Sequence, residues 1–370
     1  MLQKSELALS GTVVVGDEFE AKEGYVVIEN GKIKEIGEKK IETVIEGIII
    51  PAFINAHTHI GDSVAKEPDF MPLEKLVGPG GFKHKILAET PHETLVSAMK
   101  ATIEEIFATG TQLFADFREG GVSGVSALKE ALRLTGEEER LCVKIFGRPS
   151  GGAAGIGTEN LTELFGLVDG IGMSSVTDHS PDALRVLAAN TKSEKKMFAL
   201  HAGERNADDI AGAIELEPDF IVHLINASAQ DFKRMQDKEI AAVVCIRSNL
   251  VTGLGLPPLR EMLDAGLTVG VGTDNVMLNS PDMFSEMEFI SKVFQLDARE
   301  VLKLCTLNSA EVLEEAEWVG SIEEGKKANL LVIKTDTPNM RNVRNPIRGV
   351  VRRATRNDVA AVLYEGKLAK

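Results

Sequence analysis

The sequence predicts an α/β protein, a (β/α)8 TIM barrel with a small β-sandwich built from both chain ends. Three observations predict it. Eight apolar, strand-like runs alternate with eight helical stretches through the middle of the chain. Residues able to bind a metal or carry a proton, His57, His59, His201, His223 and Asp274, stand at the ends of four of those runs. The two chain ends read as short strands and turns that cannot bury a sheet face alone. A doubly wound open sheet is the alternative. The barrel explains how ligands from four strands converge, because barrel active sites lie at the C-terminal ends of the strands.

The elements follow in order. Strands are expected at 6–10, 12–15, 25–29 and 32–37, separated by Gly11, Gly16-Asp17 and the hairpin signal Asn30-Gly31. Their partners are expected at 328–334, 349–353 and 359–364. The domains are accordingly 1–49 with 320–370 as the sandwich, and 50–319 as the barrel. Barrel strands are expected at 48–56, 111–117, 141–147, 170–176, 196–201, 219–225, 241–246 and 268–273. Helices are expected at 91–109, 122–136, 159–167, 181–190, 206–215, 228–236, 257–265 and 282–295, with Pro91, Pro181 and Pro257-Pro258 at helix starts. The connection 60–90 is long for a compact domain. It is read as a lid over the barrel mouth, with Lys83 and His84 as candidate substrate contacts and a solvated flap as the alternative.

The first barrel strand stops at His57-Thr-His59. Side chains two apart on a strand point the same way, so both imidazoles can meet one cation. A His-x-His pair by itself is equally well a solvated or core-satisfied pair; His201, His223 and Asp274 at other strand ends favour the metal.

Composition narrows the class. The chain has 370 residues, 44% of them hydrophobic, and a net charge of −15, which argues against nucleic acid or an anionic membrane as partner and says little about a small-molecule substrate. Cys142, Cys245 and Cys305 are scattered without CxxC spacing, and the N-terminus lacks a signal-peptide core; both suit a reducing cytoplasm.

Five motifs carry a family resemblance: Pro51-Ala-Phe-Ile-Asn-Ala-His-Thr-His59, His201-Ala-Gly-Glu204, Ile221-Val-His223, Val271-Gly-Thr-Asp274 and Gly320-Ser-Ile-Glu-Glu-Gly-Lys-Lys-Ala-Asn-Leu330. In that order, over nearly the whole chain, they resemble the amidohydrolase superfamily, in the branch of adenosylhomocysteine-type deaminases, guanine deaminase and triazine chlorohydrolases. The resemblance implies that His57, His59, His201 and Asp274 hold one divalent metal, usually zinc and sometimes iron. It implies catalytic roles for Glu204, His223 and Asp274, and a homodimer or higher homo-oligomer. Such a cation lowers the pKa of water towards neutrality, Asp274 accepts the proton, and Glu204 protonates a ring nitrogen. His223 would bond the nucleophile or stabilise the tetrahedral charge. Binuclear relatives use a lysine at the end of the fourth strand; here 170–178 contains none, which favours a single metal.

Departures bear on the substrate. Ser174 stands where adenosylhomocysteine-type deaminases carry a nucleoside-contacting histidine; His179, displaced from that place, is a candidate contact. Arg118, Arg148 and Arg247 follow strands two, three and seven, where guanidinium groups suit a carboxylate or phosphate. The alternative for each is a structural carboxylate such as Asp116, Glu119 or Asp178. Asn249 is a further pocket candidate. The leading function is hydrolytic deamination of an amino-substituted heteroaromatic, purine, pyrimidine or pterin-like, possessing an anionic group. The alternatives are hydrolysis of another C–N or a C–halogen bond, and a metal-holding scaffold without catalysis.

Overall fold

The apolar run 48–56, expected as one barrel strand, is shared between two sheets. Ile45–Pro51 belongs to the terminal sheet and Phe53–His59 opens the barrel. Pro51 has no N–H to continue a ladder, and the Ala52 N–H turns to the Asn329 carbonyl at 3.0 Å. The chain thereby passes from one sheet to the other within two residues.

In this computed structural model the described residues are 6–39, 41–136, 141–150 and 161–368. The helix expected at 159–167 lies partly outside them; its described part is Leu161–Phe165. Barrel strands one to seven are Phe53–His59, Thr111–Arg118, Cys142–Gly147, Gly170–Met173, Met197–Ala202, Phe220–His223 and Ala241–Val244. Each pairs in parallel with the next. The eighth strand comes in two pieces. Val269–Val271 pairs with strand seven, and Asp274–Asn275 pairs with Thr58 and His59 of strand one, closing the barrel. Gly272 joins the pieces, and a Cβ there would lie 2.6 Å from that of His57. Only glycine lets the eighth strand pass so close to the first histidine.

Apolar side chains of alternate strand positions fill the barrel lumen, among them Ile54, Leu113, Phe117, Phe146, Phe220 and Val243. The opposite strand faces pack under the helices in the largest core cluster. Period-two alternation thus buries both faces of the sheet.

The chain ends form one seven-stranded mixed sheet in the order Lys367–Leu368, Val359–Tyr364, Leu330–Ile333, Ile45–Pro51, Glu6–Val15, Glu20–Glu29, Lys32–Gly37. It curls so that its edge strand Lys32–Gly37 meets the segment leading into Leu330–Ile333: the Ile33 N–H donates to the Lys326 carbonyl at 2.9 Å and the Ala328 N–H to the Gly31 carbonyl at 2.8 Å. The curl encloses Leu9, Val26, Ile49, Leu330 and Leu363. Ile48, Ile50, Leu331 and Ile333, on the other face, join the barrel's outer core.

One expected strand is a helix. Residues 349–353 lie within or beside Pro346–Arg352, which starts with proline in its first turn and is capped by Asn345, whose side chain accepts the Arg348 N–H. Cap and proline outweigh the β-branched Val350-Val351 pair. The connection 60–90 is also more ordered than a bare loop. It contains Ile60–Ala65, Leu73–Leu76 and Phe82–Glu89, all helical. Among the described residues no helix is long and apolar enough to cross a membrane.

Candidate active site

Strand one delivers both of its histidines to the same end of the barrel. His57 and His59 are buried, and strands five, six and eight bring His201, His223 and Asp274 beside them. His223 and Asp274 have left-handed backbones, φ 78° and 61°. Outside glycine this region is uncommon, and histidine and aspartate are among the residues that enter it most readily. The turn at each strand end aims the side chain inward.

Four ligand atoms converge. The Nε2 of His201 is 3.2 Å from that of His57 and 3.4 Å from that of His59. Asp274 Oδ1 lies 3.2 Å from His57 Nε2 and 3.6 Å from His59 Nε2. Four donors about 2.1 Å from a tetrahedral zinc would stand roughly 3.4 Å apart, so these separations match a cation-sized gap. The second ring nitrogens set the tautomers. His201 Nδ1 donates to the Met173 carbonyl at 2.7 Å, and His59 Nδ1 lies 3.1 Å from the Phe117 carbonyl and 3.0 Å from Glu119 Oε1. Those oxygens accept only, so both Nε2 lone pairs face the centre. Asp274 Oδ2 takes the Ser248 hydroxyl at 2.6 Å, while Oδ1 has no hydrogen-bond donor among the described residues. Phe117 floors the group, its ring 4.4 Å from that of His57 and 5.3 Å from that of His201.

The electrostatics suit a metal. Burial lowers the pKa of His57, and burial with the nearby Lys83 cation lowers that of His59 to about 3. Burial and the neighbouring imidazoles hold His201 well below the usual histidine range. Burial alone would raise Asp274, but the His57 bond and the other imidazoles hold it well below the usual range. Three neutral imidazoles and a carboxylate are a zinc-type donor set. Among the described residues, this is the group of three or more metal-competent side chains that comes together. Lys144 is remote from the role lysine plays in binuclear sites; it pairs with Glu315 at 2.6 Å.

A cleft of about 80 Å³, partly open to solvent, lies over these residues. Glu204 and His223 line it, with Glu204 Oε1 3.6 Å from His223 Nε2. Burial raises the pKa of Glu204. Asp209 holds the turn that carries Glu204, accepting the Gly203 N–H at 2.8 Å and the Ser175 hydroxyl at 2.7 Å.

The other expected contacts divide. Arg148 lines the cleft, and among the described residues it forms no ion pair; its Nε donates to the Gly172 carbonyl at 3.3 Å. Arg118 lies outside the lining, bound to Glu119 at 2.5 Å and 3.5 Å from Asp116. Arg247 is likewise outside it, bound to Glu286 at 2.5 Å and to the Ser280 carbonyl. Asn249 is buried behind His223, its Oδ1 3.1 Å from His223 Nδ1. His179 stands behind Ser174, which lines the cleft; the hydroxyl and His179 Nε2 are 2.8 Å apart.

Sequence reasoning missed the importance of Glu119, which the structure shows touching His59, Lys83 and Arg118 at once. Its signal was the charged pair Arg118-Glu119 closing an apolar strand. It also missed Asp62, buried three residues past His59, whose carboxyl burial pushes up to about 7. Ser248 sat unremarked between two flagged residues.

Comparison with known proteins places the chain. It is 35% identical to an uncharacterized protein of Methanocaldococcus jannaschii, over 95% of this chain and 96% of that one. It is 28% identical to a 5-methylthioadenosine/S-adenosylhomocysteine deaminase of Thermoanaerobacter pseudethanolicus, over 93% of this chain and 88% of that one. Its fold superposes with a TM-score of 0.82 on a zinc complex of an atrazine chlorohydrolase from Arthrobacter aurescens, at 19% identity, covering 98% of this chain and 94% of that one. The amidohydrolase family profile matches residues 48–369. A barrel with histidines and an aspartate gathered at its mouth, in a chain matched from its first barrel strand almost to its last residue, is a hydrolase that belongs to the amidohydrolase family.

Proposed function

We propose that this chain is a zinc-dependent deaminase that hydrolyses the amino group from a heteroaromatic ring, purine, pyrimidine or pterin-like, on a small molecule bearing an anionic group. Catalysis is assigned to the barrel, 50–319, and support to the terminal segments, 1–49 and 320–370. The observation that carries the reading is Glu204. It is a carboxyl whose pKa burial raises, 3.6 Å from His223 in the wall of the cleft that His59, His201 and Asp274 also line. A carboxyl that burial makes a weaker acid than usual, beside a source of nucleophile, suits protonation of a ring nitrogen.

His57, His59, His201 and Asp274 would hold the zinc, which supplies a nucleophile from water near neutral pH. The remaining steps belong to the chain. Glu204 gives its proton to the ring nitrogen, and the adjacent ring carbon becomes electrophilic. Asp274 takes a proton from the attacking water. His223, donating Nδ1–H to Asn249, presents an Nε2 lone pair that orients that water. A C–O bond forms, Asp274 passes its proton to the amine, and the C–N bond breaks with release of ammonia. The new hydroxyl returns a proton to Glu204 as the ring carbonyl forms. Arg148, which forms no ion pair among the described residues, takes the substrate's anionic group.

The test is ammonia release from aminopurines, aminopyrimidines and pterins, with and without an anionic substituent, by protein of measured zinc content. Ammonia from at least one is expected. Halide release or ring opening without ammonia would replace this reading with another amidohydrolase reaction. With a substrate in hand, Arg148→Ala is expected to raise KM tenfold or more, the scale of a lost charge-assisted pair. An unchanged KM would remove Arg148 from the site.

A further inference from the structure

The helix Phe82–Glu89 lies along the cleft and has one buried side chain, Lys83, 4% exposed. A lysine is buried only where partners compensate its charge. Lys83 Nζ lies 2.7 Å from Glu119 Oε1, 3.1 Å from Asn275 Oδ1 and 3.7 Å from Asp62 Oδ2. Asn275 accepts a hydrogen bond from the ammonium, and the two carboxylates balance its charge. It is held, therefore, by protein rather than free to grip a substrate.

Two of those neighbours lead straight to the candidate ligands. Glu119 Oε1 is also 3.0 Å from His59 Nδ1, on the side of the ring opposite the ligand nitrogen. Asn275 follows Asp274 and pairs with His59 across the closing strands. We propose that Lys83 is a positioning residue for the metal centre: through Glu119 and Asn275 it holds His59 and Asp274 in their binding geometry, and so couples the roof of the cleft to metal affinity. This rests on the metal-dependent reading above.

The physical reason is charge balance. A carboxylate on the far nitrogen of a ligand imidazole fixes the ring and makes it a better donor. Glu119 can serve only if its charge is held against the ring, and Lys83 on one oxygen with Arg118 on the other clamps it there. Without Lys83, Glu119 turns towards Arg118, and His59 Nδ1 keeps only the Phe117 carbonyl. Without Glu119, a buried ammonium is left beside the cation site, which is worse.

The experiment measures Zn2+ affinity by competition with a chromophoric chelator, alongside thermal unfolding in EDTA, for wild type, Lys83→Met, Lys83→Arg, Glu119→Gln and the Lys83→Met/Glu119→Gln double variant. Lys83→Met is expected to bind Zn2+ about 10–100-fold more weakly, the usual loss for an outer partner of a ligand. Lys83→Arg should recover part of that affinity. Glu119→Gln should lose at least as much as Lys83→Met, and the double variant less than the sum of the two losses. A merely structural lysine would lower unfolding temperature in EDTA and leave affinity alone, and that result overturns the proposal. If Lys83→Met does not fold, Glu119→Gln with wild-type affinity overturns it instead. Wild-type protein that binds no Zn2+ brings down the metal-dependent reading with it; tight wild-type binding with an unmoved Lys83→Met brings down only the role of Lys83.

Discussion

Glu204 and Asp274 are both carboxylates at one cleft, and their surroundings drive them in opposite directions. Burial lifts Glu204 above the usual range, while the imidazoles around Asp274 overcome burial and hold it well below. Environments that split two like groups support the proposed roles of Glu204 as acid and Asp274 as base. The sign for activity follows. The acid must keep its proton, so kcat/KM falls as pH rises through the Glu204 pKa, at a pH above the carboxylate norm of about 4.3. Asp274 stays ionised across that window. Glu204→Gln is expected to lower kcat by about 10²–10⁴ and to erase that limb of the profile, with zinc content unchanged. A pH profile of the variant that keeps the same limb would show that another group is the acid.

At the scale of elements, the site stands on ion pairs that join neighbouring loops. Arg247 opens the helix Ile246–Thr252 and binds Glu286 of the helix Met283–Phe294, both nearly or fully buried. Burial raises the Glu286 pKa in spite of the arginine. Glu286→Ala leaves a buried guanidinium without its counter-ion and is expected to cost about 3–5 kcal/mol of stability in denaturant titration. A loss under about 1 kcal/mol would mean that water reaches Arg247. Here the limits of the sequence are visible in particular residues. His57 and His59 were legible because strand alternation dictates a shared face. Arg118, Arg148 and Arg247 were not distinguishable, since each simply follows a strand; only packing shows that, among the described residues, two have carboxylate partners and one does not. Glu119 was read only as a structural partner for an arginine, because its other partners, Lys83 and His59, come from another stretch of chain. The helix Pro346–Arg352 was misread from two adjacent valines although Asn345-Pro346 announced it.

For the whole molecule, the decisive fact is closure. Asp274 and His57 are more than two hundred residues apart, and they meet because the eighth strand bonds the first. The family match runs across that entire span, 48–369, and the terminal sheet packs Ile48, Ile50, Leu331 and Ile333 against the barrel core. Overall charge, −15, does not describe the cleft, where Lys83 and Arg148 stand among carboxylates. A ligand bound only by the folded barrel stabilises it by mass action, so Zn2+ should also protect the fold. The most direct measurement is anomalous diffraction at the zinc edge from crystals grown with equimolar Zn2+. One peak is expected per chain, about 2.0–2.2 Å from His57 Nε2, His59 Nε2, His201 Nε2 and an Asp274 oxygen. A peak elsewhere, or none with those four side chains turned apart, would contradict the account.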